Sequence, residues 1–490
     1  MRQGGFISDI DKFDPLFFNI SPPEAELMDP QHRLFIETVW KAVEDAGYSA
    51  SALSGKAIGV FAATEFNDYR NLLLIRNNHA ALMGTGNADA MLSNRISFLM
   101  NWHGPSETIN TACSGSLVAV HRAVRSIRSG ESEMAIAGGV SLMIDPATII
   151  TTAQLGVLSP DSRCKTFDQN ANGYVKGEGV AVVLLKPLRK AVADHDRIYA
   201  LIRGTAVYHG GKATSLTAPN SDAQAALLKA AYKDAGIPFD TVTYLELHGT
   251  GTKLGDPVEI EGIKKAYKEC SEKTNQDRTR SCGLGSVKTN IGHLEPAAGI
   301  AGMIKVILSM KNRKLPGTPN FKKLNPYIVL ENTQFYVVEK SKDWERLTDA
   351  EGNPVPRRAG ISSFGFGGAY SHAVLEEYED EVRGEDLVSR TSYLIPLSAK
   401  NEDRLRAYAK SLGDFLYSDT KAESSPAIRA EVLQILAEIL NVSESDIDTD
   451  EGFAGCGMDT VMLSQLAERL NSRYGTALTL ALFNDYSTVG

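Results

Sequence analysis

Short apolar segments alternate with capped helical stretches along most of the chain, from about residue 20 to residue 378. Four such segments are residues 134–144, 179–186, 198–207 and 243–248. They lack the polar alternation of a strand with one face in water, so we predict that both faces are covered. Helices that alternate with buried strands are typical of α/β proteins, with the helices outside largely buried sheets. The alternation alone does not choose among the α/β folds.

The helical stretches carry recognisable start and stop signals. The tetrapeptide that begins at Ser21 has the pattern of a capping box with proline at the first helical position. Asp29 and the proline after it open a helix that we expect to end at Gly47. A second capping box begins at Ser221, and Gly236 stands where the helix cap at the carboxyl end belongs. A further helix is predicted to begin at Asp256.

The chain has 490 residues, more than one hydrophobic core usually supports, so a large body and a smaller part are expected. Because the sequence becomes polar and charged after residue 378, we predict a body over residues 1–378 and a linker over residues 379–426. Residues 427–490 are predicted to form a small, truncated helical segment with a second helix from about Thr460. The apolar stripe of its first helix consists of Ile428, Val432, Ile435 and Ile439.

Overall charge and composition exclude several classes of function. With 60 acidic against 51 basic residues, the formal charge of -9 disfavours a nucleic-acid partner. No apolar run approaches the roughly 20 residues that cross a bilayer, and the first residues lack a signal peptide, so we predict a cytosolic protein with no membrane contact. The five cysteines are few, odd in number and far apart, which argues against a disulfide framework and a metal cluster.

One cysteine has the surroundings of a nucleophile. Cys113 lies in Asn110-Thr111-Ala112-Cys113-Ser114-Gly115-Ser116, directly before a stretch with apolar residues at helical spacing. At a helix start, unpaired N–H groups and the helix dipole favour the thiolate, which is the nucleophilic form. An arbitrary cysteine is more often a small core residue, but the small and polar neighbours of Cys113 weaken that interpretation.

Two histidines stand at predicted exits from strands into loops that contain glycine. His248 follows the strand-like residues 243–247, and His293 follows a second strand-to-loop transition. Each histidine alone is more often a hydrogen-bonded structural residue. Together with Cys113 at a helix start, they indicate one shared site. The glycines of residues 363–368 allow a turn whose N–H groups meet an anionic oxygen, although this last signal is weak alone.

These motifs, in this order, resemble the β-ketoacyl synthase domain of modular type I polyketide synthases. The resemblance spans about residues 4 to 378 and rests on the segments FDPLFFNISPPEAELMDPQHRLFIE, TACSGS, CKTFDQNANGYVKGEG, HGTGT, VKTNIGH and SSFGFGG. It implies a thiolase-like layered α-β-α-β-α fold. The segments HGGKATSLTAPN and LPGTPNFKKLNPYI look most like bacterial systems whose acyltransferase acts in trans. Residues 427–490 resemble an acyl carrier segment, which implies a small all-α part.

The resemblance implies a set of site residues. Cys113 matches the nucleophile that accepts the acyl chain from an upstream carrier protein. His248 and His293 match the pair that assists decarboxylation of a malonyl-type extender, and Lys288 matches the lysine that supports this pair. The implied reaction is a decarboxylative Claisen condensation between acyl-Cys113 and the extender. Neutral imidazoles suit that reaction because they can donate hydrogen bonds to an enolate oxygen.

Binding positions follow from the same resemblance. The backbone N–H groups of Cys113 and Phe366 match an oxyanion hole, with the Phe366 side chain as a gate. Thr250 and Thr252 match positions that contact the pantetheine arm. The implied partners are acyl carrier proteins, an acyltransferase acting indirectly in trans, and a second copy of the chain. No metal or other cofactor is implied for the body, whereas phosphopantetheine is expected on the partner carrier proteins.

Two other functions remain open for this sequence. One is a ketosynthase that only transfers the chain or only decarboxylates the extender, and the other is an inactive docking scaffold for carrier proteins. Relatives that lack the histidine of HGTGT generally transfer without extending, so the presence of His248 favours condensation. A thiolase that uses free coenzyme A is a distant alternative, because its motifs differ from those found here.

The sequence also departs from the family pattern. The family usually begins earlier with a strand of the form IAIIG, so one central strand is expected to be missing here. Tyr370 and Tyr208 stand where asparagine is usual, and the two tyrosines are either a compensating pair or a sign of drift. Thr460 occupies the position of the serine that bears the arm in carrier domains. A hindered secondary hydroxyl is a poor acceptor, so phosphopantetheine is unlikely on Thr460 and we expect a degenerate carrier used for docking.

Overall fold

The structure is a computed structural model that describes residues 3–76, 81–271, 281–349, 351–379, 395–422, 426–443, 447 and 458–474. The chain divides into two compact units, Met1–Leu387 and Val388–Gly490. Each unit is described by itself below. The boundaries expected at residues 378 and 426 stay predictions.

The secondary structure of the first unit alternates as the sequence indicates. Its strands are β1 Ile58–Ala63, β2 Ser106–Ile109, β3 Met134–Ser141, β4 Gly179–Leu185, β5 Leu201–His209, β6 Tyr244–Glu246, β7 Cys282–Gly285, β8 Lys314–Leu315, β9 Phe335–Val337, β10 Lys342–Asp343, β11 Arg358–Phe364 and β12 Ala369–Glu376. Its helices are α1 Pro22–Leu27, α2 Pro30–Asp45, α3 Ala50–Leu53, α4 Asp68–Ile75, α5 Leu82–Asn87, α6 Ala90–Met100, α7 Gly115–Ser129, α8 Pro146–Gln154, α9 Leu188–Ala193, α10 Ser221–Ala235, α11 Gly255–Cys270, α12 Lys288–Ile291 and α13 Ala298–Asn312. The strands predicted within 134–144, 179–186, 198–207 and 243–248 are β3, β4, β5 and β6.

Polar side chains cap the first turns of several helices. The side chains of Ser21 and Asp29 accept hydrogen bonds from the first turns of α1 and α2, as expected. Gly236 caps α10 at its carboxyl end with a φ of +65°, a left-handed conformation that favours glycine. The expected cap at Ser221 is wrong by one residue, because the side chain of Asn220 accepts from the first N–H groups of α10.

Two sheets form the centre of the first unit. The first has the order β2-β1-β3-β4, with β1 parallel to β2 and β3, and β4 antiparallel to β3. The second has the order β5-β12-β11-β6-β7-β9, in which β11 and β7 run parallel to β6, and β12 runs antiparallel to β11 and to β5. A separate two-stranded sheet pairs β10 with β8.

The two sheets repeat one arrangement. The order β2-β1-β3-β4 in the first sheet corresponds to β7-β6-β11-β12 in the second, with the same parallel and antiparallel neighbours. The helix between β2 and β3 is α7, and the corresponding helix between β7 and β11 is α13. Pairing between β1 and β3 is continuous over six residues, so the expected missing strand has no place in the middle of the first sheet. The second sheet has two further strands, β5 outside β12 and β9 outside β7, whose counterparts beside β4 and β2 are absent from the described residues.

In the first unit, three clusters of buried apolar side chains hold five layers of helices and sheets together. The first joins α2 and α6 to one face of the first sheet, and the second joins α7 and α13 to the inner faces of both sheets. The third joins α10 and α11 to the outer face of the second sheet. Within β3, Ile136 packs in the first cluster and Ala137 in the second, which is the alternation of a strand covered on both faces. The layers therefore alternate α-β-α-β-α.

The second unit contains α14 Glu402–Ala422, α15 Pro426–Leu440 and α16 Thr460–Tyr474. Val432, Ile435 and Ile439 of the predicted stripe pack with residues of α16 around a small core, while the side chain of Ile428 lies outside the described residues. Thr460 is exposed at the first position of α16, as the predicted start of this helix indicates. Over the described part of both units, no helix has the length and apolar character needed to span a bilayer.

Candidate active site

Cys113 lies in the tight turn between β2 and α7. Ala112, directly before it, has a φ of +50°, which is uncommon for a residue with a side chain. The hydroxyl of Ser114 donates to the carbonyl oxygen of Thr111 at 2.9 Å and closes the turn. Because α7 begins at Gly115, the side chain of Cys113 stands just before the first turn of the helix. The position of Cys113 at a helix start, which the sequence predicts, is therefore present.

The glycine-containing turn between β11 and β12 lies against the Cys113 turn. The hydroxyl of Ser363 donates to the carbonyl oxygen of Cys113 at 2.7 Å, and the backbone N–H of Phe366 donates to the Cys113 side chain. A Cβ atom on Gly365 would lie 2.2 Å from the carbonyl oxygen of Thr111, so glycine permits this close approach. The Phe366 ring is 55% exposed. A backbone donor thus faces the sulfur, with an exposed ring beside it.

His248 follows β6 and is held by the same turn. Its Nδ1 accepts a hydrogen bond from the backbone N–H of Phe364 at 3.3 Å. Since Phe364 follows Ser363 in the chain, adjacent residues contact Cys113 and His248. Burial lowers the pKa of His248 well below its usual value, and the Lys288 charge lowers it further. A neutral ring that accepts at Nδ1 carries its proton on Nε2.

His293 follows β7 and the short helix α12, and its ring lies beside that of His248. The two ring centroids are 5.5 Å apart, with the planes at 81°. The Nδ1 of His293 accepts from the backbone N–H of Glu295 at 2.9 Å. Its pKa is also lowered well below the usual value, first by burial and then by the Lys288 and His248 charges. Both rings are therefore neutral at pH 7, with Nε2–H groups available as donors.

Lys288 is the buried cation of this region, at the start of α12. Burial lowers its pKa, while the carboxylates of Glu246 and Glu259 oppose that effect. Its positive charge also lowers the pKa of the Cys113 thiol and of both imidazoles. The structure thus brings Lys288 into the same electrostatic environment as the other three predicted residues.

Two carboxylates of α11 shape the loop after β6. Glu259 accepts from the backbone N–H groups of His248 at 2.8 Å and Gly249 at 2.9 Å. Asp256 accepts from Gly251 at 3.1 Å, and burial raises the pKa of Asp256 to about 7. Gly249 and Gly251 have positive φ values, which this turn requires. The role of Glu259 was not predicted from the sequence, although a glutamate on the buried face of a helix was a detectable signal.

Thr250 and Thr252 lie in this loop and are partly buried. Their hydroxyl oxygens are 3.2 Å apart, and the Thr252 hydroxyl also accepts from the backbone N–H of Gly255. The carbonyl oxygen of Thr250 accepts from the Cys164 thiol at 3.3 Å. Both residues therefore lie just after His248 in the chain. Their contact with a pantetheine arm stays a prediction.

The protonation of Cys113 differs from the expectation. Burial raises the pKa of the Cys113 thiol to about 12, and the nearby carboxylates of Glu295 and Glu65 add to the effect. The Lys288 charge and the Phe366 N–H act in the opposite direction but are weaker. The expected preference for thiolate at the helix start is therefore wrong, because burial and two carboxylates outweigh the donors.

A buried ion pair beside the site was also missed. The ammonium group of Lys176 lies 3.0 Å from a carboxylate oxygen of Glu295, with both side chains buried. Lys176 precedes β4, whereas Glu295 supplies the N–H that orients His293. Burial raises the pKa of Glu65 to about 7, and the Glu295 carboxylate adds to this effect. These charged groups lie in sequence segments that the resemblance covers, but no local pattern pairs them.

The tyrosines that depart from the family pattern face each other across two strands. Tyr370 of β12 pairs in register with Tyr208 of β5. The Tyr370 ring packs against Phe364 at 5.0 Å between centroids, and its hydroxyl accepts from the backbone N–H of Asn220 at 3.3 Å. Phe364 in turn lies 5.5 Å from the His248 ring. Tyr370 therefore fills the space behind Phe364, which donates to His248.

Comparison with known proteins places this arrangement in a family. Residues 1–191 match the family described as "Beta-ketoacyl synthase, N-terminal domain", and residues 199–322 match "Beta-ketoacyl synthase, C-terminal domain". Residues 325–434 match "Ketoacyl-synthetase C-terminal extension", and residues 430–490 match "Phosphopantetheine attachment site". The extension family thus crosses the predicted linker and both structural units.

Similar proteins agree with these matches. The chain is 47% identical over 443 residues to the polyketide synthase PksN of Bacillus subtilis, covering 89% of this chain and 8% of that protein. It is 46% identical over 433 residues to PksM of the same organism, covering 85% of this chain and 10% of PksM. The chain therefore spans about a tenth of the length of these curated relatives.

Solved structures extend the likeness to three dimensions. The ketosynthase from module 6 of the bacillaene synthase of Bacillus subtilis has a TM-score of 0.75 at 42% identity, covering 84% of this chain and 69% of that one. The ketosynthase domain OzmH KS7 of Streptomyces albus has a TM-score of 0.78 at 39% identity, with coverages of 86% and 72%. The layered α/β architecture is that of a condensing enzyme with a thiolase-like fold. The chain belongs to the β-ketoacyl synthase family, as a ketosynthase domain of the polyketide synthase type.

Proposed function

We propose that this ketosynthase elongates a polyketide chain by decarboxylative Claisen condensation on Cys113. The observation that carries the proposal is the pair of neutral imidazoles whose Nδ1 atoms both accept backbone hydrogen bonds. Each ring is thereby set to donate from Nε2, and adjacent residues tie His248 to the Cys113 turn. Two neighbouring donors suit an enolate oxygen, which transfer of an acyl chain alone does not generate.

In the first half-reaction, Cys113 takes the acyl chain from a carrier protein. Its sulfur bonds to the acyl carbon, the bond from that carbon to the pantetheine sulfur breaks, and the thiol proton ends on the departing sulfur. The oxygen bears negative charge in the intermediate, and the N–H groups of Cys113 and Phe366 are proposed to stabilise it. Because the pKa of Cys113 is raised, most of the protein starts this step as the thiol.

In the second half-reaction, the malonyl-type extender loses carbon dioxide. The electron pair of the broken carbon–carbon bond forms an enolate, whose oxygen accepts from the Nε2–H groups of His248 and His293. The enolate carbon bonds to the acyl carbon, and the bond to Cys113 breaks. The released thiolate takes a proton from water and restores the resting site. Burial lowers the pKa of both histidines, and Lys288 acts here as a positioning residue whose charge lowers the pKa of each further.

The partners of this reaction belong to the same proposal. Thr250 and Thr252 would contact the pantetheine arms of the upstream and extender-bearing carrier proteins. The extender would be loaded by an acyltransferase acting in trans. A homodimer is supported by β2, which lies at the edge of the first sheet and has no outer partner within the described ranges. A cytosolic location stays a prediction.

The segment that matches the phosphopantetheine attachment family is proposed to act in docking. Thr460 lies exposed at the first position of α16, where the Asp459 side chain caps the helix. Its secondary hydroxyl is more hindered than that of serine. After treatment with a phosphopantetheinyl transferase, intact mass spectrometry is expected to show less than about a tenth of the mass shift seen for Thr460→Ser. Complete modification of the unchanged chain would overturn this assignment.

The elongation proposal is tested with His248→Ala, an acyl thioester and a malonyl-loaded carrier protein. Acylation of Cys113 is expected to persist, because the imidazole is not the nucleophile. Decarboxylation and product formation are expected to fall by about 10²- to 10⁴-fold, the usual contribution of a positioned acid or base. Both are followed by mass spectrometry on the same sample.

His103→Ala is the matched control, because His103 is exposed and outside the site. Undiminished product from His248→Ala would overturn the elongation proposal. Decarboxylation without product in the unchanged protein would indicate a non-elongating enzyme. Failure of Cys113 to become acylated at all would favour the docking scaffold.

A further inference from the structure

A carboxyl group lies at the end of β1, next to the turn that holds Cys113. Glu65 is the second residue after β1, which pairs in register with β2. The backbone N–H of Thr64 continues this pairing by donating to the carbonyl oxygen of Ile109 at 3.3 Å. The Asn110 side chain donates to the carbonyl oxygen of Glu65 at 3.5 Å. Glu65 therefore stands beside the segment that leads from β2 into the turn of the nucleophile.

The segment that precedes β4 lies on the other side of Glu65. The ammonium group of Lys176 lies 5.1 Å from the centre of the Phe66 ring, and Phe66 directly follows Glu65 in the chain. Two residues before Lys176, the Tyr174 ring packs edge-on against the His293 ring, with 5.0 Å between the centroids. Glu65 thus lies between the turn of the nucleophile and the segment that carries Tyr174 and Lys176.

The charge of Glu65 acts on both neighbours. Burial raises the pKa of Cys113 and of Tyr174, and the Glu65 carboxylate adds to both effects. A carboxylate has this influence only on groups that lie near it, since the interaction falls off with distance. The contacts of the backbone and these pKa shifts therefore agree in placing a carboxyl group, a phenol and the nucleophilic sulfur in one small region.

The fold leaves both polar groups available. In the part of the chain that the structure describes, no hydrogen bond or ion pair reaches the Glu65 carboxyl or the Tyr174 hydroxyl. Both side chains are only partly buried, as is Cys113. Because the pKa of Tyr174 is raised, its phenol keeps its proton and can donate, whereas an ionised carboxyl group only accepts. An acceptor and a donor thus stand together beside the nucleophile.

We propose that Cys113 is loaded with an acyl chain that carries a hydroxyl group close to the thioester, and that Glu65 and Tyr174 bind this hydroxyl. A hydroxyl group donates one hydrogen bond and accepts others, so it satisfies the carboxylate and the phenol together. A keto oxygen only accepts, and a saturated carbon chain does neither. The inference rests on the proposed loading of Cys113 and names the class of substrate for that step.

An ammonium group is the other common donor to a carboxylate, and the charges of the site disfavour it. Lys176 already places a positive charge beside Phe66, and this charge opposes the raised pKa of Glu65. A second cation would be repelled by Lys176 and would lose hydration in a partly buried site. A neutral hydroxyl group has neither cost, so the site favours a hydroxyacyl chain over an aminoacyl chain.

The test compares two thioesters of N-acetylcysteamine that differ only in the hydroxyl group, 3-hydroxybutanoyl and butanoyl. Each is offered to the full chain at pH 8, where a carboxyl group with a pKa of about 7 is mostly ionised. The acyl carbon bonds to the Cys113 sulfur, and N-acetylcysteamine leaves with the thiol proton. Intact mass spectrometry over time gives the rate constant of acylation. We expect the preferred enantiomer of the hydroxyacyl thioester to react at least about tenfold faster, as for a hydrogen bond to a charged group.

Three variants assign the preference to the two side chains. Glu65→Met removes the acceptor at similar side-chain length, and the preference is expected to fall below about threefold. Tyr174→Phe keeps the ring that packs on His293 but removes the hydroxyl, and is expected to lower the preference by at least about threefold. Glu131→Met is the matched control, because Glu131 is exposed beyond the far end of α7 from Cys113, and it should retain the full preference.

The ratio of the two rates separates recognition from a structural role. A merely structural Glu65 would slow both thioesters equally and leave the ratio unchanged, so a full preference in Glu65→Met would overturn the inference. Equal rates for the two thioesters in the unchanged chain would also overturn it, while leaving the proposed elongation intact. Acylation by neither thioester would overturn it together with the proposed function.

Discussion

The two halves of the body share a strand order but differ in how deeply the antiparallel strand of each, β12 or β4, is buried. In the second half, β5 covers the edge of β12, and nearly all of β12 is buried. In the first half, β4 forms an open edge within the described range and is mostly half-buried. The candidate site also divides between the halves, because Cys113 precedes α7 while His293 precedes α13. A repeated scaffold thus supplies different chemical groups from equivalent positions.

The largest effects are expected when one catalytic group is removed from each half. Cys113→Ala is expected to abolish both acyl loading and condensation, because no other sulfur occupies the turn. His293→Ala is expected to retain loading while condensation falls by about 10²- to 10⁴-fold. Intact mass spectrometry measures loading, and product analysis measures condensation. Equal loss of loading in both variants would contradict the division of roles.

The next effect concerns the ion pair that joins the halves. Lys176→Met leaves the carboxylate of Glu295 buried without its partner, and the free energy of unfolding is expected to fall by about 3–5 kcal/mol. Lys305→Met is the matched control, because Lys305 pairs with Glu246 inside the second half and is less buried. Its cost is expected to be about 1–3 kcal/mol. Urea unfolding measures both, and a larger cost at Lys305 would reverse the expected order.

A matched pair of leucines tests the difference in burial between β12 and β4. Leu375 of β12 and Leu185 of β4 both pack towards the central cluster, but Leu375 is 1% exposed and Leu185 is half-buried. Leu375→Ala is expected to lower the free energy of unfolding by about 2–5 kcal/mol, and Leu185→Ala by about half as much. Equal costs in urea unfolding would show that both edges are equally enclosed in solution.

The last prediction is a pH dependence of labelling at the nucleophile of the first half. Below a pKa of about 12, the thiolate fraction of Cys113 rises about tenfold for each pH unit. The rate of alkylation by iodoacetamide is therefore expected to rise about 100-fold from pH 7 to pH 9 without levelling. A small thiol with an ordinary pKa serves as the reference, and Cys113→Ala gives the background. A plateau below pH 8 would show that the sulfur is acidic.

Much of the candidate site could be predicted from the sequence, because its residues lie in short contiguous motifs. Cys113, His248, His293 and Phe366 were expected at a helix start, at strand ends and in a glycine turn, and the structure brings these segments together. The supporting carboxylate of Glu259 was not predicted, because it contacts the loop after β6 from a different element. The N-cap of α10 was assigned to Ser221 instead of Asn220, because either of these adjacent polar residues can cap a helix.

Local structure and chemical groups could be read from the sequence alone: where helices begin, which segments are buried strands, and which motifs supply sulfur, imidazole and N–H donors. These follow from hydrogen bonds and side-chain patterns within a few residues of one another. The protonation of Cys113 and the pairing of Lys176 with Glu295 emerge only in the folded molecule. Burial and charge depend on which distant segments pack together, so the assembled layers set the desolvation of both sites.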